Sequence, residues 1–129
     1  YWPVERGEIT SSYGKHKHHL VNTATVDNNG IDITTEKNAI VRSVFNGKVT
    51  SVLIIPGAGK VVMISHGEYR TVYANLQEAF VKKGDYVKSK QNIGKLLLKQ
   101  SGISESHFEI WKINSSGMNT VNPSLWLSK

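Results

Sequence analysis

The chain has 129 residues, 39% hydrophobic and 20% charged, enough to bury the core of one globular domain. It holds no cysteine, which excludes disulfides and thiolate metal sites, and no apolar run approaches the roughly 18 residues that span a bilayer. Sixteen Lys and Arg against ten Asp and Glu give a formal charge of +6, but the basic residues are scattered and lack the aromatic-basic pattern of an RNA-binding module, which argues against nucleic acid as a partner.

From the amino end, "YWPVERGEITSSYG" already reads as folded-domain sequence, and "KHKHH" (residues 15–19) reads as a short solvated loop. The stretch "VDNNGIDI" (26–33) is a turn that enters a strand. Beyond it come short β-branched runs, "AIVRSV", "GKVTSVLII", "GKVVMISH", "YRTVYANL", "NIGKLLL" and "SHFEIWKI", separated by Asn-Gly, Pro-Gly, His-Gly and Lys-Gly-Asp breaks. Asn-Gly in "FNGKV" and His-Gly in "HGEYR" are turn signals between extended segments. No segment sustains a 3.6-residue apolar period, and only "SLWL" near the end has room for one helical turn. The expected fold is all-β, one domain over residues 1–129, built of short, mostly antiparallel strands. Phe108 and Ile110 alternate with His107 and Glu109, so the first pair faces the core if His107 faces outward. Trp2, Trp111 and Trp126 are expected to cover the ends of the sheet core, Tyr73 to be a half-buried strand residue, and His66 to close a strand before its turn.

The rhythm of "FVKKGDYVKSKQNIGKL" with "AIVRSVFNGKV" is similar to that of lipoyl and biotinyl carriers. A carrier needs a modifiable lysine at its hairpin tip, and "SHGEYR" supplies none. A second family accommodates more of the chain. In order, "GEITSSYG", "NNGIDI", "AIVRSVFNGKV", "GKVVMISHG", "YRTVYANL", "VKKGDYVKSKQNIG", "SHFEI" and "VNPSLWL" resemble the lysostaphin/LytM-type zinc peptidases of bacterial cell walls. The resemblance implies a LytM (duplicated-hybrid-motif) fold with a groove across one sheet. In active members, it implies a zinc held by His-x-x-x-Asp and by the second histidine of His-x-His, with a further catalytic histidine in Tyr-Ala-His-Leu.

Carried onto this chain, those positions are Asn28 and Asp32, Glu105 and His107, and Asn75. Three have changed, and only Asp32 and His107 remain as possible ligands. Catalytic zinc sites use three protein ligands, and an Asn carbonyl suits harder cations better than zinc. Losing two proton-handling histidines costs about 10²–10⁴-fold each. Glu105 acting as a general base, or His16, His18 or His19 folding back as a ligand, are the two ways a site could be recovered. The reading is a non-catalytic domain with no metal or other cofactor, zinc belonging only to an alternative reading as a metalloendopeptidase with an unusual ligand set.

Within the family, members lacking the zinc ligands resemble the EnvC/NlpD type of division-associated factor. That resemblance implies binding and activation of a peptidoglycan N-acetylmuramoyl-L-alanine amidase in the periplasm. It also implies that the chain is the C-terminal part of a longer exported protein. Asn28, Asp32, Asn75, Glu105 and His107 would then form a polar groove for the amidase. Contact with peptidoglycan or a cell-division membrane complex is a further expectation, without membrane insertion by this chain.

Overall fold

The computed structural model describes residues 2–18, 21–57, 59–99 and 102–127, with side chains left out for residues 15–18 and 21–27. Among the described residues, twelve strands follow one another: β1 (Glu8–Ser11), β2 (Gly14–His18), β3 (Val21–Asn28), β4 (Ile31–Thr35), β5 (Ile40–Arg42), β6 (Gly47–Ile55), β7 (Gly59–Ser65), β8 (Tyr69–Ala79), β9 (Tyr86–Val87), β10 (Asn92–Leu96), β11 (Ser104–Asn114) and β12 (Gly117–Val121). The "SLWL" turn is a single 3-10 turn, Pro123–Leu125, capped by Asn122, whose side chain accepts from the Ser124 N–H.

The principal sheet runs β1-β4-β11-β8-β7-β6-β9, with β12 beside β11 and β10 joining β8 to β5. Its strand pairs are antiparallel, so the all-β, antiparallel expectation holds. Period-2 alternation decides which residues go inside. Ile31 and Ile33 of β4, Phe108 and Ile110 of β11, Tyr73 of β8, and Val62 and Ile64 of β7 share one inner face. Val41, Ile93 and Leu96 from β5 and β10, with Val4 and Val44, close over it. Each such aliphatic or aromatic side chain contributes about 1.5–3 kcal/mol of hydrophobic stabilisation. Tyr73 is completely buried rather than half-buried: its ring lies 5.2 Å from that of Phe108, and its hydroxyl accepts from the Val44 N–H at 3.1 Å.

Two local expectations are corrected. "KHKHH" is not a loop, because residues 14–18 form β2, which pairs with β3 as a separate two-stranded arm. His16 stands opposite Val26 in that arm, and His19 lies outside the described residues. Asn46-Gly47 is not a hairpin tip either, since β5 pairs with β10 and Gly47 opens β6. Glycine is required there because a Cβ would run into the Ser65 carbonyl oxygen. His-Gly does make the expected hairpin: the His66 N–H donates to the Tyr69 carbonyl at 2.8 Å, and Gly67 takes φ +85°.

Candidate functional site

Four of the five expected positions lie on strands of the principal sheet, Asp32 on β4, Asn75 on β8, and Glu105 and His107 on β11, while Asn28 ends β3 of the two-stranded arm. Asp32 on β4 stands directly opposite His107 on β11, and His107 in turn stands opposite Ala74 on β8. Asn28 ends β3, and Gly30 lets the chain turn back tightly into β4 against β11. A Cβ at Gly30 would collide with the Phe108 carbonyl oxygen and meet Glu109 Cγ at 2.8 Å. The sequence "NNG" thus brings Asn28 and Asp32 to one spot.

Asn28 is buried, and all of its amide is used. Its Oδ1 accepts from the Gly30 N–H at 3.0 Å, while Nδ2 donates to Ser11 Oγ at 3.1 Å and Asp32 Oδ2 at 3.2 Å. These partners fix the amide's orientation, because a flipped amide would set NH₂ against an N–H and oxygen against a carboxylate. The side-chain oxygen, its one possible metal donor, therefore points at the backbone.

His107 is engaged at both ring nitrogens. Nδ1 donates to Asp32 Oδ1 and Nε2 to Glu109 Oε2, each at 2.7 Å. Two carboxylate partners require both nitrogens to carry protons. Burial works against that charge, but the hydrogen bonds and charges of Asp32 and Glu109 outweigh it and raise the His107 pKa from 6.5 to about 9. The His107 hydrogen bond in turn holds the Glu109 carboxyl below its ordinary value, against burial, with help from Trp111. The Trp111 indole N–H donates to Glu109 Oε1 at 2.8 Å.

The remaining two positions form a separate pair. Asn75 adopts φ +63°, a left-handed conformation that Asn tolerates better than most residues. Its Nδ2 donates to the Glu105 backbone carbonyl at 3.2 Å. The Glu105 carboxylate pairs with Lys99 at 3.3 Å; being partly exposed, the pair contributes at most about 1 kcal/mol.

These donors do not fit a catalytic zinc as they stand. Asn28 offers an N–H to the site, which leaves Asp32 and His107 as two donors where a catalytic zinc uses three. Among the described residues, no three His, Asp or Glu side chains group as a metal would require. The His16 and His18 side chains and all of His19 lie outside the described residues.

Two site residues escaped the sequence reading, Glu109 and Trp111. Trp111 does not cover a sheet end. It lies on the outer face, packed with Met63 against Val61, Val72 and Ala74. The signal was present in the alternation of β11, where residues 105, 107, 109 and 111 must share one face.

With this geometry in place, the comparisons with known proteins decide the family. The profile of peptidase family M23 matches residues 26–123, a span that contains all five positions. The chain belongs to peptidase family M23. This M23 domain is 38% identical over 95 residues to the peptidoglycan DD-endopeptidase ShyB of Vibrio cholerae, an alignment covering 71% of this chain and 22% of that protein. The chain spans about a quarter of the length of the curated relatives it matches. Among solved structures, the M23 domain resembles Helicobacter pylori Csd3, with a TM-score of 0.78 and 28% identity, covering 99% of this chain and 34% of that one. It also resembles a chain of the SpoIIQ–SpoIIIAH pore forming complex, with a TM-score of 0.75 and 27% identity, covering 98% of this chain and 89% of that one. The LytM/lysostaphin-type fold expected from the eight motifs is the fold of this M23 domain.

Proposed function

We propose that this M23 domain is a non-catalytic binding module of the cell envelope that activates a peptidoglycan amidase, using a site that holds no metal. One observation carries the reading: the groups of a zinc site bond one another instead. Asn28 donates to Asp32, and His107 is clamped between Asp32 and Glu109. Beside this hydrogen-bonded cluster lies the apolar strip of Val61, Val72, Ala74, Met63 and Trp111. A partly apolar, hydrogen-bonded surface suits a partner's helix or loop. The similar SpoIIQ–SpoIIIAH structure is a pore forming complex of two proteins, which supports protein contacts as a use of this fold.

The assay mixes the chain with a peptidoglycan N-acetylmuramoyl-L-alanine amidase and labelled peptidoglycan. Stem-peptide release rises when both are present, and the chain alone releases nothing with or without zinc. Cross-link cleavage by the zinc-supplemented chain alone would overturn the proposal.

A second reading, a zinc endopeptidase, is favoured by one feature: Asp32 Oδ1 and His107 Nδ1 face each other 2.7 Å apart, with Glu109 orienting the ring from its far side. It requires stoichiometric zinc after metal stripping and repletion. Elemental analysis is expected to find none.

A further inference from the structure

Two clefts, neither of them lined by residues of the Asp32–His107 site, share His66 in their lining. The first, of about 310 Å³, is walled by Phe45, His66, Tyr69, Ile110 and Trp126. Ile110 belongs to the closed core. Tyr69 and Trp126 stand with ring centroids 4.8 Å apart, and Trp126 remains 43% exposed. The His66 ring, edge-on to Phe45, spends both nitrogens internally, on the Asn46 carbonyl at 2.6 Å and Thr71 Oγ1 at 2.8 Å. This half therefore offers hydrocarbon and aromatic surface and very little else.

The second cleft, of about 480 Å³, includes Lys48, Tyr86 and Lys88 in its lining. Tyr86 is 78% exposed, and Lys48 Nζ sits 5.5 Å from its ring centroid. Lys82, Lys83 and Lys90 lie in the same segment of chain. Its one carboxylate, Asp85, is engaged locally, accepting from the Lys82 N–H at 3.0 Å. Glu68, next to Gly67 in the β7–β8 turn, is the other acidic residue adjoining the lining in sequence. Among the described residues, Lys48, Lys82, Lys83 and Lys88 make no ion pair. A surplus of positive charge thus borders an apolar, aromatic-walled cleft.

We infer that the paired cleft docks an acidic peptide segment of a partner protein. One aliphatic or aromatic side chain fills the half walled by Phe45, Tyr69 and Trp126, and flanking carboxylates meet Lys48 and Lys88. A uniformly anionic polymer would satisfy the lysines and leave the apolar half empty. A second copy of this chain is a poor source, because no two of its ten Asp and Glu are adjacent in sequence. Charge complementarity supplies steering, and the buried anchor supplies residence time.

The experiment is an NMR titration of the isotope-labelled chain with a panel of acidic hexapeptides, each carrying one central Phe, Leu or Trp. Poly-glutamate and the matching lysine-flanked peptides serve as comparisons. The acidic peptides are expected to shift the signals of Phe45, His66, Tyr69 and the Trp126 indole together with Lys48 and Lys88. Trp126→Ala and Lys88→Glu should each weaken binding about tenfold, the effect of losing one anchor contact. Lys88→Glu is an exposed change, so it reports even if Trp126→Ala perturbs the fold. Absence of shifts with every acidic peptide, shifts confined to the Asp32–His107 face, or equal binding of poly-glutamate would each overturn the inference.

Discussion

His107 joins two carboxylates, and the pH dependence of the site follows from that bridge. Its folded pKa of about 9 stands above the ordinary 6.5, so its stabilisation is fully present below about 6.5 and is lost as the pH rises through about 9. The Glu109 pKa is lowered, so its share is present above its ordinary 4.5 and is lost as the pH falls through the depressed value. The two windows overlap between 4.5 and 6.5, where the network stabilises the fold most. The histidine shift corresponds to a stabilisation on the order of 3 kcal/mol. Urea midpoints should therefore fall between pH 6 and pH 10. Glu109→Gln removes one of the two carboxylates, lowers the His107 pKa and flattens that fall. NMR titration of the His107 ring reads the pKa directly, and an unchanged value in the variant would show that Glu109 does not support the charge.

At the scale of the element, the turn between β3 and β4 sets the site's geometry. Gly30 presses against the Phe108 backbone, so Gly30→Ala must push β4 away from β11 and lengthen the Asp32–His107 contact. The expected cost is about 2–4 kcal/mol, as for other backbone collisions in a packed interior. Gly67→Ala serves as the control, since its Cβ would meet nothing and only the positive φ is strained; it should cost about 1 kcal/mol. Denaturant midpoints that rank the two variants the other way would contradict this account of the turn.

The strands themselves were legible in the sequence because burial on one face imposes a period of two. "SHFEIWKI" gave the inward Phe108 and Ile110 and the outward His107 correctly. The β2–β3 arm was not legible, since among the described residues its strands pair only with each other, and "GKHKH" is polar throughout. Asn46-Gly47 misled for a related reason: Gly47 answers a close approach to Ser65, not a turn. Of the site, family motifs placed Asn28, Asp32 and His107 together. They were silent on Glu109, whose part depends on which imidazole nitrogen faces it, and spacing alone does not carry that.

Taken as a whole molecule, the sheet is a wall with different chemistry on each side. β11 shows this within adjacent residues: Trp111 packs on the outer face beside Glu109, while Ile110 floors the aromatic cleft on the inner one. Perturbations on the two sides share no side-chain partner, and such changes usually add to within a few tenths of a kcal/mol. Trp111→Ala removes both the Glu109 hydrogen bond and the cover over Val61, Val72 and Ala74. It should lower amidase stimulation and leave acidic-peptide binding at the His66-lined clefts intact. Trp126→Ala should weaken the peptide and leave the His107 pKa at its parent value. The double variant should show both losses with no extra coupling, measured as a double-mutant cycle on stability. A coupling above about 1 kcal/mol would mean that the two faces communicate through the strand that separates them.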